Sequence, residues 1–317
     1  MRRRTTAAVA FAASTSIASA GGIDRSGQFL GPLFQTGGES GSYVELSFGS
    51  VNPNGVDTGA FSLPDMLPAY TQAGFAYKTN LSDNLSAALI VDQPFGAAVR
   101  YPVGVPFSGA NATVNSRAAT GLLRYKMDGG VSLHGGVRAL SVTGSILSPT
   151  APLGQLDASS NWNFGYVVGA AYERPDIALR VALTYNSAIT AKMTGTENGG
   201  QVAFNVRMPE SINLEFQTGV AADTLLMGSV RHVRWDGFNL TTPLKNYVAF
   251  TENTTTYSLG LGRRITDNFS ASAMLGYEAP GARPGTTPLA PTTGLTSLTL
   301  AGSYTMDTMT VSGGVTV

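Results

Sequence analysis

The sequence predicts an all-β fold, a transmembrane antiparallel β-barrel of the fourteen-stranded type, and three observations predict it. Six tight turns alternate with six long polar loops, the segments between them alternate apolar and polar residues at period two, and aromatics gather at segment ends. The turns fall at 82–84, 128–130, 173–176, 221–223, 266–268 and 306–308, each rich in the Asp, Asn and Gly that close hairpins. The long connections run at 52–68, 102–116, 147–159, 191–200, 237–246 and 280–293. Barrels of this kind keep short turns on the periplasmic side and long loops outside, so odd strands should run outward.

The first element is 1–20. Arg2, Arg3 and Arg4 precede an Ala-rich apolar stretch containing Val9 and Phe11, which closes on Ala18-Ser19-Ala20. That order of charge, apolar run and small residues is a secretory signal peptide; the apolar part is too short and too Ser/Thr-interrupted for a span of about twenty residues. The second element, 21–41, carries Ile23, Phe29, Leu30, Leu33 and Phe34 without a clean period. So many large apolar groups exceed what a disordered leader needs, and the segment is expected to enter the lumen as a plug, with Ile23 and Phe29 as its anchors.

The barrel proper is expected over 42–317. Its strands should lie near 42–51, 69–79, 84–101, 117–127, 131–146, 160–172, 177–190, 201–220, 224–236, 254–265, 268–278, 294–305 and 308–317. The faces read clearly: Phe164, Tyr166, Val168, Ala170 and Tyr172 alternate with small residues, as do Leu179, Val181, Leu183 and Tyr185. Tyr77, Tyr172, Tyr277 and Tyr304 are placed beside short turns, as one aromatic girdle would require. In 201–220, Val202, Phe204, Val206, Met208, Ile212, Leu214 and Phe216 keep one parity across Pro209, which reads as one long bent strand. Thirteen strands are odd where bacterial barrels are even, and the last runs outward to Val317, so a closing fourteenth strand is expected to be missing from the sequence.

The third strand is irregular. Leu85, Ala87, Leu89 and Val91 alternate until Asp92-Gln93-Pro94-Phe95-Gly96-Ala97, where proline withdraws a ladder donor and glycine permits a bulge. Unpaired backbone in a barrel wall is tolerable only where protein or a cavity covers it. Asp92, Pro94, Phe95 and Gly96 are therefore the candidates for a side opening, against the plainer reading of an ordinary bulge.

Composition narrows function. Charged residues make up 13% and the net charge is zero, so a basic nucleic-acid face is excluded. With no cysteine, disulfides, thiolate metal sites and a cysteine nucleophile are excluded. His134 and His232, the two histidines, stand in no recognisable nucleophile arrangement, and neither an enzyme nor a cofactor or metal is expected. Leu225, Met227, Val233 and Trp235 share one parity and Leu226, Gly228 and Val230 the other, so apolar groups enter the lumen either way. Arg124, Lys126, Arg138 and Arg180 are inward candidates that could hold a carboxylate or simply solvate the interior. Phe61, Met66, Leu67 and Phe107 supply apolar groups to the loops.

The residues resemble the FadL/TodX outer-membrane family of long-chain fatty acid and hydrocarbon transporters. The likeness is carried by Gly21-Gly22-Ile23-Asp24-Arg25-Ser26-Gly27, by Asp92-Gln93-Pro94-Phe95-Gly96, by Met208-Pro209-Glu210 and by Arg234-Trp235-Asp236-Gly237-Phe238. It departs in its short leader and in lacking the Asn-Pro-Ala motif common in the family hatch. The resemblance implies a fourteen-stranded barrel with an N-terminal hatch and a kinked third strand that releases ligand sideways. It implies passive uptake of hydrophobic compounds, most of all long-chain fatty acids, by a monomer in the outer membrane of a Gram-negative cell, in contact with outer-membrane lipid. Ligand contact is expected at Arg124, Arg138, Phe95 and Trp235. A general porin for small polar solutes is the alternative; it requires charged rings around an open constriction.

Overall fold

The computed structural model describes residues 23–38, 40–53, 56–57, 62–63, 66–102, 108–149, 154–281 and 294–317. The expected signal peptide, and Phe61 and Phe107, lie outside the described residues. Seventeen strand segments make one sheet. Four pairs of consecutive segments continue one another across short breaks, so the described chain crosses the sheet thirteen times.

The crossings are β1 (Tyr43–Val51), β2 (Tyr70–Asn80), β3 (Leu85–Asp92, then Gly96–Arg100), β4 (Asn111–Lys126) and β5 (Val131–Ser148). Next come β6 (Gly154–Ser160, then Asn163–Arg174), β7 (Leu179–Asn186, then Ile189–Glu197) and β8 (Gly200–Met208, then Ser211–Ala221). The last five are β9 (Thr224–Val233), β10 (Thr254–Arg264), β11 (Phe269–Glu278), β12 (Leu295–Met306) and β13 (Met309–Thr316). Each pairs antiparallel with its chain neighbour, from β1 with β2 to β12 with β13. The tight turns hold residues in the left-handed region that hairpins demand, such as Gly129, Gly130, Asp223 and Asp307.

The sheet is strongly curved. Phe95 of β3 and Trp235, just past β9, stand six strands apart, about 29 Å along a flat sheet, yet their rings meet at 5.9 Å. The N-terminal segment lies within that curve, bonded to both β3 and β9. The opposite face is apolar and bare: Phe48 is 82% exposed, and Leu46, Phe75, Leu123, Val137, Phe164, Leu183, Leu259, Leu275 and Leu300 are exposed in register around it. A continuous apolar surface far beyond a few hundred Å² suits lipid rather than water. No helix among the described residues is long and apolar enough to cross a membrane.

Three expectations need correction. The connection expected at 191–200 is a hairpin: Ile189–Glu197 pairs with Gly200–Met208 around a two-residue turn, with Asn198 at φ 50° and Gly199 at φ 83°. Its first arm, with Thr190, Thr194 and Thr196, read as loop because its outward residues are polar, and the Asn-Gly dipeptide was the signal to heed. For the same reason β4 begins at Asn111 rather than 117, and β6 at Gly154 rather than 160.

The 201–220 stretch crosses once but exchanges faces. Val206 and Met208 are buried on the inner face, whereas beyond Pro209 it is Ser211 and Asn213 that are buried and Ile212 that is exposed. A break that shifts the alternation by one residue swaps every following side chain; β6 and β7 do the same, from Ala158 to Val167 and from Ala182 to Ala191. Finally, Tyr277 stands at the long-loop end of β11, opposite Tyr257, so it belongs to a second girdle rather than that of Tyr77, Tyr172 and Tyr304.

Candidate functional site

The inner face is layered, and strand parity sets the layers. Toward the long loops, Val142, Ile146, Leu156, Met208, Val233 and Trp235 join Ile23 and Phe95 in one apolar cluster. Trp235 is its centre, fully buried, with edge contacts to Phe95, Phe238 and Phe250 at 5.9, 5.3 and 5.4 Å. It reaches that place because the chain after β9 folds inward, Phe238 N donating to Trp235 O at 2.9 Å and Phe250 N to Phe238 O at 2.9 Å. A small hairpin, Asn239–Thr241 with Asn246–Ala249, then covers the cluster. Glu197 secures it, accepting from Thr242 and Tyr247 at 2.7 and 2.8 Å. Burial, and then the Glu197 carboxylate, push the Tyr247 phenol above its usual range, which keeps that donor protonated. The Trp235 indole N–H has no acceptor among the described residues. A buried donor ordinarily has an acceptor, and this one is left open within an apolar cluster.

Below lies a polar layer. Arg231 grips Asp24 through both oxygens, at 2.6 and 2.9 Å, and also donates to Ser211 and Asn213 at 3.0 and 2.8 Å. Arg138 donates to Thr120 and Asn186 at 2.8 and 2.9 Å, and its charge faces Asp92. Ser26 donates to Asp92 at 2.6 Å. Nearest the short turns, Leu30, Leu33 and Phe34 pack with Ala88, Leu122, Val167, Ala171 and Ala182. There Arg124 pairs with Glu173, donates to Ser132 at 3.0 Å and covers the Phe34 ring at 4.5 Å, which Arg180 also approaches at 4.9 Å.

The wall is interrupted between β2 and β3. Their ladder ends at Phe75 with Val91, and among the described residues no pairing joins Tyr70–Gly74 to Gly96–Arg100. Five unpaired residues leave a gap about 17 Å long. On the other side, Asp92 opposes Ala118 and Gly96 opposes Asn115, so β3 holds one extra residue, the mark of a bulge. The N-terminal segment satisfies the freed backbone: Pro94 O accepts from Arg25 N at 2.8 Å, Gly96 N donates to Ile23 O at 2.7 Å, and Asp24 bridges Phe95. Ser116 completes it, accepting from Phe95 N at 2.8 Å and donating to Phe95 O at 2.7 Å.

Of the residues singled out from sequence, Ile23, Phe95 and Trp235 meet in the apolar cluster, and Asp92, Pro94 and Gly96 flank the gap. Arg138 sits in the polar layer below, Arg124 lies at the base away from the cluster, and Phe29 is partly exposed. His134 meets Thr184 at 3.0 Å and the edge of Phe34; His232 meets Thr255 at 2.8 Å on the other face. Sequence reasoning missed Asp24, Arg25, Asn115 and Arg231. The available signal was charge out of place: Asp24-Arg25 beside the large apolar groups of the leader, and Arg231 on the parity of Leu225, Met227 and Val233.

No family model and no curated protein matches the chain. Solved structures do. A FadL homologue from Pseudomonas aeruginosa is 14% identical, with 87% of this chain and 80% of that one covered at a TM-score of 0.67. The toluene transporter TodX of Pseudomonas putida is 13% identical, covering 84% and 79% at 0.58. The CymD monoaromatic hydrocarbon channel is 14% identical, covering 87% and 82% at 0.54. The chain has the fold of these FadL/TodX-type proteins.

Proposed function

We propose that this FadL/TodX-type barrel is a passive outer-membrane channel for hydrophobic compounds, long-chain fatty acids foremost, which releases them sideways through the gap between β2 and β3. The observation that carries this reading is adjacency: the apolar cluster around Trp235 abuts the gap through Phe95, while the Asp24–Arg231 layer lies beneath it. An apolar ligand gains about 25 cal/mol per Å² on leaving water. It would lose that gain again in the charged layer, so the sideways path costs least.

In this scheme Phe95 and Trp235 contact the hydrocarbon. Ile23, Phe29 and the rest of the N-terminal segment form the plug, whose base is held where Arg124 covers Phe34. Arg138, below the cluster, is the inner candidate for a carboxylate head group. The similar structures include toluene transporters and a monoaromatic hydrocarbon channel, which supports apolar cargo in this fold. The test is uptake in proteoliposomes. Labelled oleate should enter well above protein-free vesicles, and osmotic swelling with small sugars should be absent. Swelling with sugars and no oleate uptake would instead establish a porin.

A further inference from the structure

Arg25 closes the wall at the gap. Along the run from Ile23 to Ser26, Asp24 reaches Arg231 of β9 and Arg25 reaches Asn115 of β4. Its guanidinium lies over the Tyr70 ring of β2 at 4.1 Å and donates to Asn115 Oδ1 of β4 at 3.1 Å. Asn115 is exposed, between buried Val114 and Ser116, so it belongs to the outer face. Gly96 is its direct partner across the ladder, and paired residues share a face. A Cβ added at Gly96 would stand 2.5 Å from the Arg25 guanidinium carbon. Tyr70, by contrast, keeps the inward parity of Ala76 and Lys78 on β2, so the guanidinium stands within the gap, between an outward residue of β4 and an inward one of β2, and Gly96 is glycine because a side chain would occupy that place.

The charge of Arg25 is unmatched. It is 6% exposed, yet among the described residues it has no carboxylate partner, whereas Arg124 has Glu173 and Arg231 has Asp24. One amide oxygen and one ring face hold it. A carboxylate accepts two parallel bonds from a guanidinium and makes the stronger contact. We propose, resting on the sideways route above, that Arg25 is both the latch of the exit and its anion site. The carboxylate of an amphipathic acid takes the guanidinium from Asn115 and Tyr70, and the acid leaves through the space vacated. A neutral hydrocarbon offers Arg25 nothing and does not release it in this way, so the latch favours acids.

The test compares uptake of hexadecanoic acid with that of 1-hexadecanol by the full chain in proteoliposomes. Arg25→Gln should lower the acid-to-alcohol ratio about tenfold, and Arg25→Lys should keep most of the preference. An unchanged ratio in a folded Arg25→Gln protein overturns the proposal. Asn115→Asp, at an exposed position that folding tolerates, supplies an internal carboxylate that competes for Arg25; acid uptake should fall about fivefold, and an unchanged rate overturns the proposal even if Arg25→Gln does not fold. A wild type that carries neither compound defeats the channel reading itself, a result distinct from a wild type that carries both without preference, which defeats the latch alone.

Discussion

Trp235 shows how much one residue can report. Its ring packs on three others while its N–H finds no acceptor among the described residues, so two substitutions separate packing from recognition. Trp235→Ala should cost about 3–5 kcal/mol of stability by opening a cavity. Trp235→Phe should preserve most packing and weaken oleate binding about three- to tenfold through the lost donor, read by titration calorimetry in detergent; unchanged binding would show that the N–H does not meet the ligand. The Asp24–Arg231 pair makes a second prediction. Arg231→Met alone strands a buried carboxylate and should cost about 3–5 kcal/mol, visible as proteolysis of the N-terminal segment, and adding Asp24→Leu should restore much of the protection. Phe95 and Trp235 were legible in the sequence as large apolar groups beside a proline break and at a strand end. Arg25 was not, because a charge inside an apolar leader gains its meaning only from the gap it enters, and that gap is made by residues far along the chain.

At the scale of elements, β3 and the β7–β8 hairpin teach opposite lessons. The β3 irregularity could be read directly, since Pro94 and Gly96 withdraw a donor and a side chain two positions apart; what closes it came from the N-terminal segment, which no local pattern announces. The β7–β8 hairpin was obscured because its first arm sets Ile189, Ala191 and Met193, which face the core, among Thr190, Lys192, Thr194 and Thr196, and the polar residues hide the alternation. Its turn supplies a test. Gly199 has a φ of 83°, a conformation that β-branched residues avoid, so Gly199→Val should cost about 1–2 kcal/mol and lower the urea midpoint without altering the far-UV signature of the strands. No change in midpoint would mean the turn relaxes freely. The exchange of faces at Pro209 was hidden for a related reason: Val202 to Phe216 keep one parity in sequence, and only the three-dimensional break reassigns it.

For the whole molecule, the thirteen crossings of the described chain were legible because turn chemistry is local, although the connection between β7 and β8 is a two-residue turn where a long one was expected. The layering was not. An apolar cluster over an ionic layer over an apolar base appears only when β3 and β9 are brought together, with the N-terminal segment bonded to both. On the proposed route these layers set a direction: cargo is welcome above, penalised at the centre, and offered an exit at the boundary. The most direct measurement is a covalent footprint of a long-chain acid bearing a photoreactive group at the end of its tail, mapped by mass spectrometry after irradiation. The account predicts labels on Phe95 and Trp235, and on Tyr70, Gly96 and Asn115 around the gap. Labels on Leu33, Phe34 and Arg180 with none at the gap would mean that cargo runs down the axis, and would contradict release through the wall.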